Sequence, residues 1–490
     1  MSLKEWLAKH EIFGAKRPLP LKPEARPPIV RSRPPNRDEL ALGYAWGEDG
    51  ESEVLQLKGV RQEDRNAHFY IVGATRTGKT KLLEEIIEQD IANGEGFGVI
   101  DPHGDLIEAV KERLFLAADG LDERVVLIDP TDKEFTVCFN PLELPEGVEA
   151  AELAGELVLV FRKIWFDAWG ARTDEIFRNT LIVLIENNLT LAEFSLVLRD
   201  AAVRTKLTAN VENEICREFF RDQYAAWSDK DKTTWTAPIL NKVSALLLDE
   251  RVREIFLSPA STFNLRRIMD EGKILLVKLD KGRLKDAGEL LGSLLLSKIQ
   301  MAAFSRTDAR ESERKQFYLH IDEFQNFATG SFKDTLAEAA KYKLSLTLAH
   351  QNLSQLPTDL RASILTNCGL QAYFRVARLD AELLAKEAFA GVYDDTQKWE
   401  GYFQQLQTLP NRICVVKNKL AGGIVFIRTP NILPAWKKFG FSEKGFSILV
   451  RTARIGGRYL RRRDDIEKEY RARRTALAAS DEPESYWRKS

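Results

Sequence analysis

The chain has 490 residues, 44% of them hydrophobic, and a formal net charge of −1, so it can bury a large core in more than one structural unit and its overall charge gives no sign of a polyanionic partner. Four cysteines (Cys138, Cys216, Cys368 and Cys414) lie far apart with no Cys-x-x-Cys pair, which argues against a disulfide or zinc framework and predicts reduced thiols in a cytoplasmic protein. No apolar run approaches the roughly 20 residues of a membrane span, and Met1-Ser2-Leu3-Lys4-Glu5-Trp6 lacks a signal-peptide core.

In chain order, Lys16 to Arg37 comes first, with seven basic residues, one acid and seven of the 18 prolines. Such a segment cannot pack a core and reads as an extended basic arm. Short alternating segments from Tyr44 to Val60 read as strands leading into the apolar run Phe69-Tyr70-Ile71-Val72. Directly behind that run stands Gly73-Ala74-Thr75-Arg76-Thr77-Gly78-Lys79-Thr80, followed by the amphipathic stretch Lys81 to Ile87. Strand, glycine-spaced turn and helix together let successive backbone N–H groups wrap a phosphate at a helix N-terminus. Gly73 and Gly78 allow close approach of the backbone, Lys79 sets a point charge against the β- and γ-phosphates, and Thr80 offers a hydroxyl to Mg2+. The stretch predicts a nucleoside triphosphate site.

Two further apolar strands end in acidic turns, Gly96 to Asp105 with Asp101 and His103, and Arg124 to Pro130 with Asp129. From Val148 to Phe256 the apolar residues recur at three- and four-residue spacing, which predicts an all-helical insertion. Trp165, Phe166, Trp169, Trp227 and Trp235 in it are read as core residues, with base stacking as the alternative. Strand signals resume at Lys273 to Leu279, Gln316 to Ile321, Leu344 to Leu348 and Leu370 to Phe374, and Ile413 to Val416 with Ile424 to Ile427 suggest a closing hairpin. The run Arg451 to Arg474, with ten basic residues against four acids, reads either as a solvated tail or as a surface for nucleic acid or acidic membrane.

Strands alternating with helices predict an α/β fold: a mainly parallel twisted sheet flanked by helices, with catalytic residues at the strands' C-terminal ends. One such end is Phe317-Tyr318-Leu319-His320-Ile321-Asp322-Glu323, where successive side chains diverge, so that Asp322 can face Mg2+ while Glu323 faces the γ-phosphate as the base for water. Another is Leu346-Thr347-Leu348-Ala349-His350-Gln351. Gln351 is read either as a neutral sensor of the γ-phosphate or as a polar cap on the next helix, and His350 as a packing residue.

Gly73 to Thr80, Ile100 to Asp105, Leu319 to Phe324 and Thr347 to Gln351, in this order, resemble the additional-strand RecA-like motor ATPases of the HerA and FtsK superfamily, and within it the conjugative type IV coupling proteins. The likeness covers roughly residues 60 to 435. It implies a RecA-like P-loop ATPase that works as a homo-oligomeric ring, in this superfamily a hexamer. DNA would pass through the ring's centre, and ATP and Mg2+ would bind between subunits. A secretion channel or a relaxase would be the partner. Carried over by position, Gly73, Ala74, Thr75, Arg76, Thr77, Gly78, Lys79 and Thr80 bind phosphate, Thr80 and Asp322 hold the metal, Glu323 activates water and Gln351 senses the γ-phosphate. Asp101 and His103 support the site. The expected domains are a basic arm (1–43), the motor core in two parts (44–146 and 262–435), the inserted all-α domain (147–261) and a basic tail (436–490).

Two features depart from the resemblance. The family commonly carries an arginine eleven residues before the sensing glutamine that reaches the neighbouring subunit's nucleotide, whereas this chain has Ala340 there, in Ala339-Ala340-Lys341-Tyr342-Lys343. Arg375, Lys341 and Arg378 are the candidate replacements, Arg375 the best placed by sequence. The chain also opens without the transmembrane helices of typical coupling proteins, which counts against the secretion role. A secretion or pilus-assembly ATPase and, on the strength of Ala340, a slowly hydrolysing nucleotide-gated scaffold stand as alternative readings.

Overall fold

The structure, a computed structural model, describes residues 38–46, 55–117, 120–165, 169–389, 399–438 and 440–478. The proline-rich basic run Lys16 to Arg37 and Phe166 lie outside the described residues.

Thirteen strands are formed among them: β1 (Glu39–Trp46), β2 (Leu55–Arg61), β3 (Phe69–Val72), β4 (Gly96–Asp101), β5 (Val125–Ile128), β6 (Phe135–Thr136), β7 (Ile274–Lys278), β8 (Phe317–Ile321), β9 (Leu344–His350), β10 (Leu370–Tyr373), β11 (Ile413–Asn418), β12 (Gly423–Arg428) and β13 (Arg461–Arg462). Eleven of them make one sheet in the order β2-β1-β12-β11-β10-β3-β9-β8-β4-β7-β5. From β10 to β5 every neighbouring pair is parallel. The other pairs, β10 with β11 onward to β2, are antiparallel. The segments expected to lead into the phosphate loop, β1 and β2, thus lie at the far antiparallel edge.

The central strands β3, β4, β8 and β9 are buried along their whole length, as covering on both faces requires of parallel strands. Alternate residues serve different cores. Phe69, Ile71, Phe97 and Val99 pack with Leu82, Ile86, Ile107 and Val110, from helices Lys79–Asn93 and Asp105–Ala117. Tyr70, Val72, Ile100, Leu319 and Ile321 face the other way, into a core continuous with the interior of the helical insertion, including Leu157, Phe161, Phe177 and Leu184. Among its described residues the insertion holds helices joined by turns and no strand, from Ala150–Ile164 to Glu250–Arg253, and it shares the core of the sheet. Trp165 and Trp169 pack on Phe177, and Trp227 stands edge-on to Trp235 at 4.6 Å, so these rings fill space as expected. All four cysteines are buried and free.

The basic run near the C-terminus is no loose tail. Arg461 and Arg462 pair as β13 with β6, and helix Arg463–Ala478 lies across the insertion. Arg463 donates to Pro130 O (3.1 Å) and Asp132 O (2.8 Å) and pairs with Glu254 at 2.5 Å. Glu467 pairs with Arg253 and Arg473 with Glu193, while Ile466 and Tyr470 pack with Cys138, Ala192 and Leu257. The segment is a strap joining sheet and insertion, and much of its positive charge is paired within the chain.

One charged network lies inside the core. Arg65 donates to both carboxylate oxygens of Asp90, each at 2.6 Å, and its guanidinium lies 3.6 Å above the Tyr318 ring. His320 Nε2 stands 2.9 Å from Asp90 Oδ2. Burial alone would raise the Asp90 pKa; Arg65 and His320 reverse this and hold it below the usual carboxylate range, while burial keeps the His320 pKa down. Replacing Asp90 with Asn leaves a fully buried guanidinium without its counter-charge. Asp90→Asn is expected to lower the unfolding free energy by about 3–5 kcal/mol in denaturant titration, and a loss under about 1 kcal/mol would contradict this account.

Candidate active site

The phosphate loop hangs between the C-terminal ends of β9 and β10 and the N-terminal end of β11. Gly73 N–H donates to His350 O at the end of β9 (3.3 Å), Ala74 N–H to Arg375 O just beyond β10 (2.7 Å), and Arg412 N–H to Thr77 O at the start of β11 (2.7 Å). Thr77 Oγ1 donates to Ala74 O (2.7 Å), closing the turn on itself. Two glycines are demanded by the geometry. Gly78 has φ 122°, and a Cβ on Gly73 would meet Phe374 Cβ at 2.5 Å. Helix Lys79–Asn93 starts at once behind the loop, so its N-terminal amides and positive dipole end point into the site.

Lys79 Nζ donates to Gly73 O (2.7 Å) and Ala74 O (3.2 Å). Burial lowers its pKa, and the nearby Glu323 and Asp322 oppose that. Asp322, 5% exposed, has its carboxyl pushed up to about 6 by burial, by Glu323 and by Asp101, with Lys79 pulling the other way. Glu323 is held in the left-handed region, at φ 47°, a conformation that costs a non-glycine residue on the order of 1 kcal/mol or more and gathers at functional sites. Its two oxygens are each taken by an amide. Gln351 Nε2 donates to Oε1 (2.9 Å) and Gln325 Nε2 to Oε2 (2.8 Å). Gln351 also accepts from Thr75 Oγ1 at 3.1 Å. An unbroken bridge therefore runs from the phosphate loop through Gln351 to Glu323.

Asp101 closes β4 as a cap: it accepts from the backbone N–H groups of His103 (2.8 Å), Leu106 (2.8 Å) and Ile107 (3.2 Å). Its oxygens fix the turn into helix Asp105–Ala117, and its charge reaches Asp322. His103 is exposed. His350 is buried against Phe324, with Tyr70 Oη 3.3 Å from its Nδ1, and burial, together with Lys79, pushes its pKa down to about 3. It packs as a neutral ring. Arg375 donates to Asn411 Oδ1 at 3.0 Å while its carbonyl holds the phosphate loop of its own chain, so its placement is beside its own site. Arg378 is exposed and paired with Glu382 and Glu400. Ala340 and Lys341 are exposed, before the start of β9 and at the opposite end of the parallel strands from the loop.

Sequence reading passed over Phe374, Gln325 and Arg412. Only a fold shows that Phe374 limits the space above Gly73; Gln325 was visible as the amide two residues beyond Glu323. The donor set suits a Mg-nucleotide: amides and Lys79 for the phosphates, and the exposed hydroxyl-bearing Thr80 with the proton-shifted Asp322 for a cation that keeps most of its ligands as water and phosphate. Among the described residues there is no cluster of three or more His, Cys, Asp or Glu able to hold a metal unaided.

The family model of the type IV secretion-system coupling protein DNA-binding domain matches residues 59–388. Solved structures share the fold. The bacterial conjugative coupling protein TrwBΔN70 aligns with TM-score 0.55 at 16% identity, over 76% of this chain and 87% of that one. The plasmid coupling protein TrwB in complex with ADP and Mg2+ gives 0.52 at 15%, over 77% and 89%. VirB4 of Thermoanaerobacter pseudethanolicus gives 0.52 at 14%, over 82% and 98%. No curated protein matches the chain.

The clearance above Gly73 provides a test. Gly73→Ala drives a methyl into Phe374 and shifts the loop, and is expected to weaken binding of a fluorescent ATP analogue by about tenfold or more. Unchanged affinity would mean that this packing does not set the loop's shape.

Proposed function

The chain belongs to the type IV secretion-system coupling protein DNA-binding domain family, and from that premise we propose that it is an ATP-driven DNA translocase, hydrolysing ATP between the subunits of a homo-oligomeric, hexameric ring. The observation that carries this reading is the Thr75–Gln351–Glu323 bridge, which ties the phosphate loop to the carboxylate that would activate water. Gly73 to Thr80 cradle the phosphates; Lys79 leaves its carbonyl partners for the β- and γ-phosphates, and Thr80 and Asp322 hold Mg2+. Glu323 takes a proton from the attacking water. Gln351 Nε2 keeps one N–H on Glu323 and gives its other to the γ-phosphate, so loss of that phosphate is felt at Glu323. Arg375 supplies a cation from the same subunit. DNA is the cargo, and a secretion-channel component or a relaxase is the partner. Among the described residues no helix is long and apolar enough to cross a membrane, which suits a cytoplasmic motor recruited by such a partner.

A second reading, a nucleotide-gated scaffold with slow turnover, is favoured by one observation: exposed Ala340 offers no cation to a neighbour. Single-turnover hydrolysis separates the two. Glu323→Gln is expected to keep ATP-analogue binding while lowering the rate by about 10²- to 10⁴-fold; a scaffold gives wild type and variant nearly equal rates. DNA should stimulate the wild-type ATPase, and binding should fall steeply with salt as phosphate contacts are screened. A rate indifferent to single- and double-stranded DNA at every salt and protein concentration would overturn the translocase reading.

A further inference from the structure

The helical insertion reaches the turn behind Glu323 through Lys163. Lys163 is near the C-terminal end of helix Ala150–Ile164, the insertion's first helix. Its Nζ donates to Asn326 O at 2.7 Å and lies 3.5 Å from Gln325 O. These carbonyls belong to the short turn Phe324–Asn326 that follows Glu323, and the Gln325 side chain holds Glu323 Oε2 at 2.8 Å. Lys281 steadies the same turn from the other side, donating to Asn326 Oδ1 at 2.9 Å and pairing with Glu289.

Beyond Lys163, the route continues into the insertion. Lys242, on helix Asp229–Leu248, donates to Trp165 O at 3.2 Å and lies 5.5 Å from that ring's centroid. The Trp165 ring in turn packs 4.9 Å from Phe161 on the helix that carries Lys163. Two insertion helices therefore meet within two residues of the lysine. At the other end, Gln325 Oε1 is buried with no hydrogen-bond partner, so the Gln325 side chain is held by its Nε2 bond to Glu323 alone.

We propose that Lys163 is a positioning residue for hydrolysis: it fixes the turn 324–326 so that Gln325 aligns Glu323, and movement of the insertion therefore sets the rate of the distant chemical step. This rests on the ATPase reading given above. The lysine touches no nucleotide, so its loss should act on turnover and leave nucleotide affinity alone. The turn's left-handed entry at Glu323 makes that alignment dependent on external support.

The test uses the full chain, with steady-state ATPase, ATP-analogue affinity, and hydrogen exchange of the peptide covering residues 322–328. Lys163→Met is expected to lower kcat by about 10- to 100-fold, the scale of a small misplacement of a reacting group, with affinity unchanged and exchange at 322–328 faster. Lys163→Arg, which keeps charge and donors, should recover most of the loss. Gln325→Leu should lower kcat similarly, and the double variant should be no worse than the poorer single one, as for residues acting in one chain. An unchanged kcat in Lys163→Met, a loss carried by affinity, or additive losses would each overturn the proposal. Wild-type protein that does not hydrolyse ATP would sink the ATPase reading instead; the exchange measurement needs no turnover and still decides whether Lys163 holds the turn.

Discussion

The buried pairing of Arg65 with Asp90 and His320 is the constraint on which the site's geometry depends. Asp90 lies on the helix that begins with Lys79 and Thr80, and His320 lies on the strand that ends in Asp322 and Glu323. Apolar packing between that helix and the sheet tolerates small slides, because dispersion contacts are many and non-directional. A bidentate ion pair does not. A displacement of one helical turn would leave a guanidinium and a carboxylate buried and separated, at a cost of several kcal/mol. Lys79 and Thr80 on one side and Asp322 and Glu323 on the other, more than 200 residues apart in sequence, are thereby held in one axial register.

Charge balance within the site follows from that register. Asp101, Asp322 and Glu323 crowd against a single buried ammonium, and Asp322 responds by holding its proton up to about pH 6. On the proposed reading, a divalent cation held by Asp322 would remove that crowding, and bound phosphates would draw Lys79 off the loop carbonyls to a stronger partner. Nucleotide and Mg2+ would then relieve opposite halves of one electrostatic imbalance, which would favour their binding together.

The local motifs were legible because their chemistry is written in consecutive residues. Strand, loop and helix around Gly73 to Thr80, the Asp322-Glu323 strand end and the Gln351 strand end all fall where spacing puts them. What sequence hid depends on long-range neighbours. Lys163 looks like one more solvent-facing lysine at a helix end until the fold brings it to Asn326. The run Arg451 to Arg474 looks cationic until Glu123, Glu193 and Glu254, all outside the run, are seen to pair with Arg458, Arg473 and Arg463. Arg375 was reachable by position but not by direction: that it lies beside its own loop follows from β10 neighbouring β3, which no local pattern reveals.

The same topology explains what Ala340 can and cannot do. The site lies at the C-terminal end of β9 and Ala340 precedes the strand's N-terminal end, a separation of about 20 Å along seven residues. Nothing at position 340 can serve its own nucleotide. The turn that carries it is nevertheless rigidly built. Arg306, fully buried, donates to Tyr342 O and Lys315 O, while Arg314 donates to Lys341 O at 2.7 Å and lies 5.4 Å from the Tyr342 ring centroid. Two arginines thus shape the turn from beneath, and the exposed side chain beside Ala340 is that of Lys341. A lysine offers a compact point charge where an arginine offers a planar fork able to grip two phosphate oxygens. Arg375 thus stands beside the chain's own loop, whereas Lys341 is carried on a stiff turn at the other end of the strands.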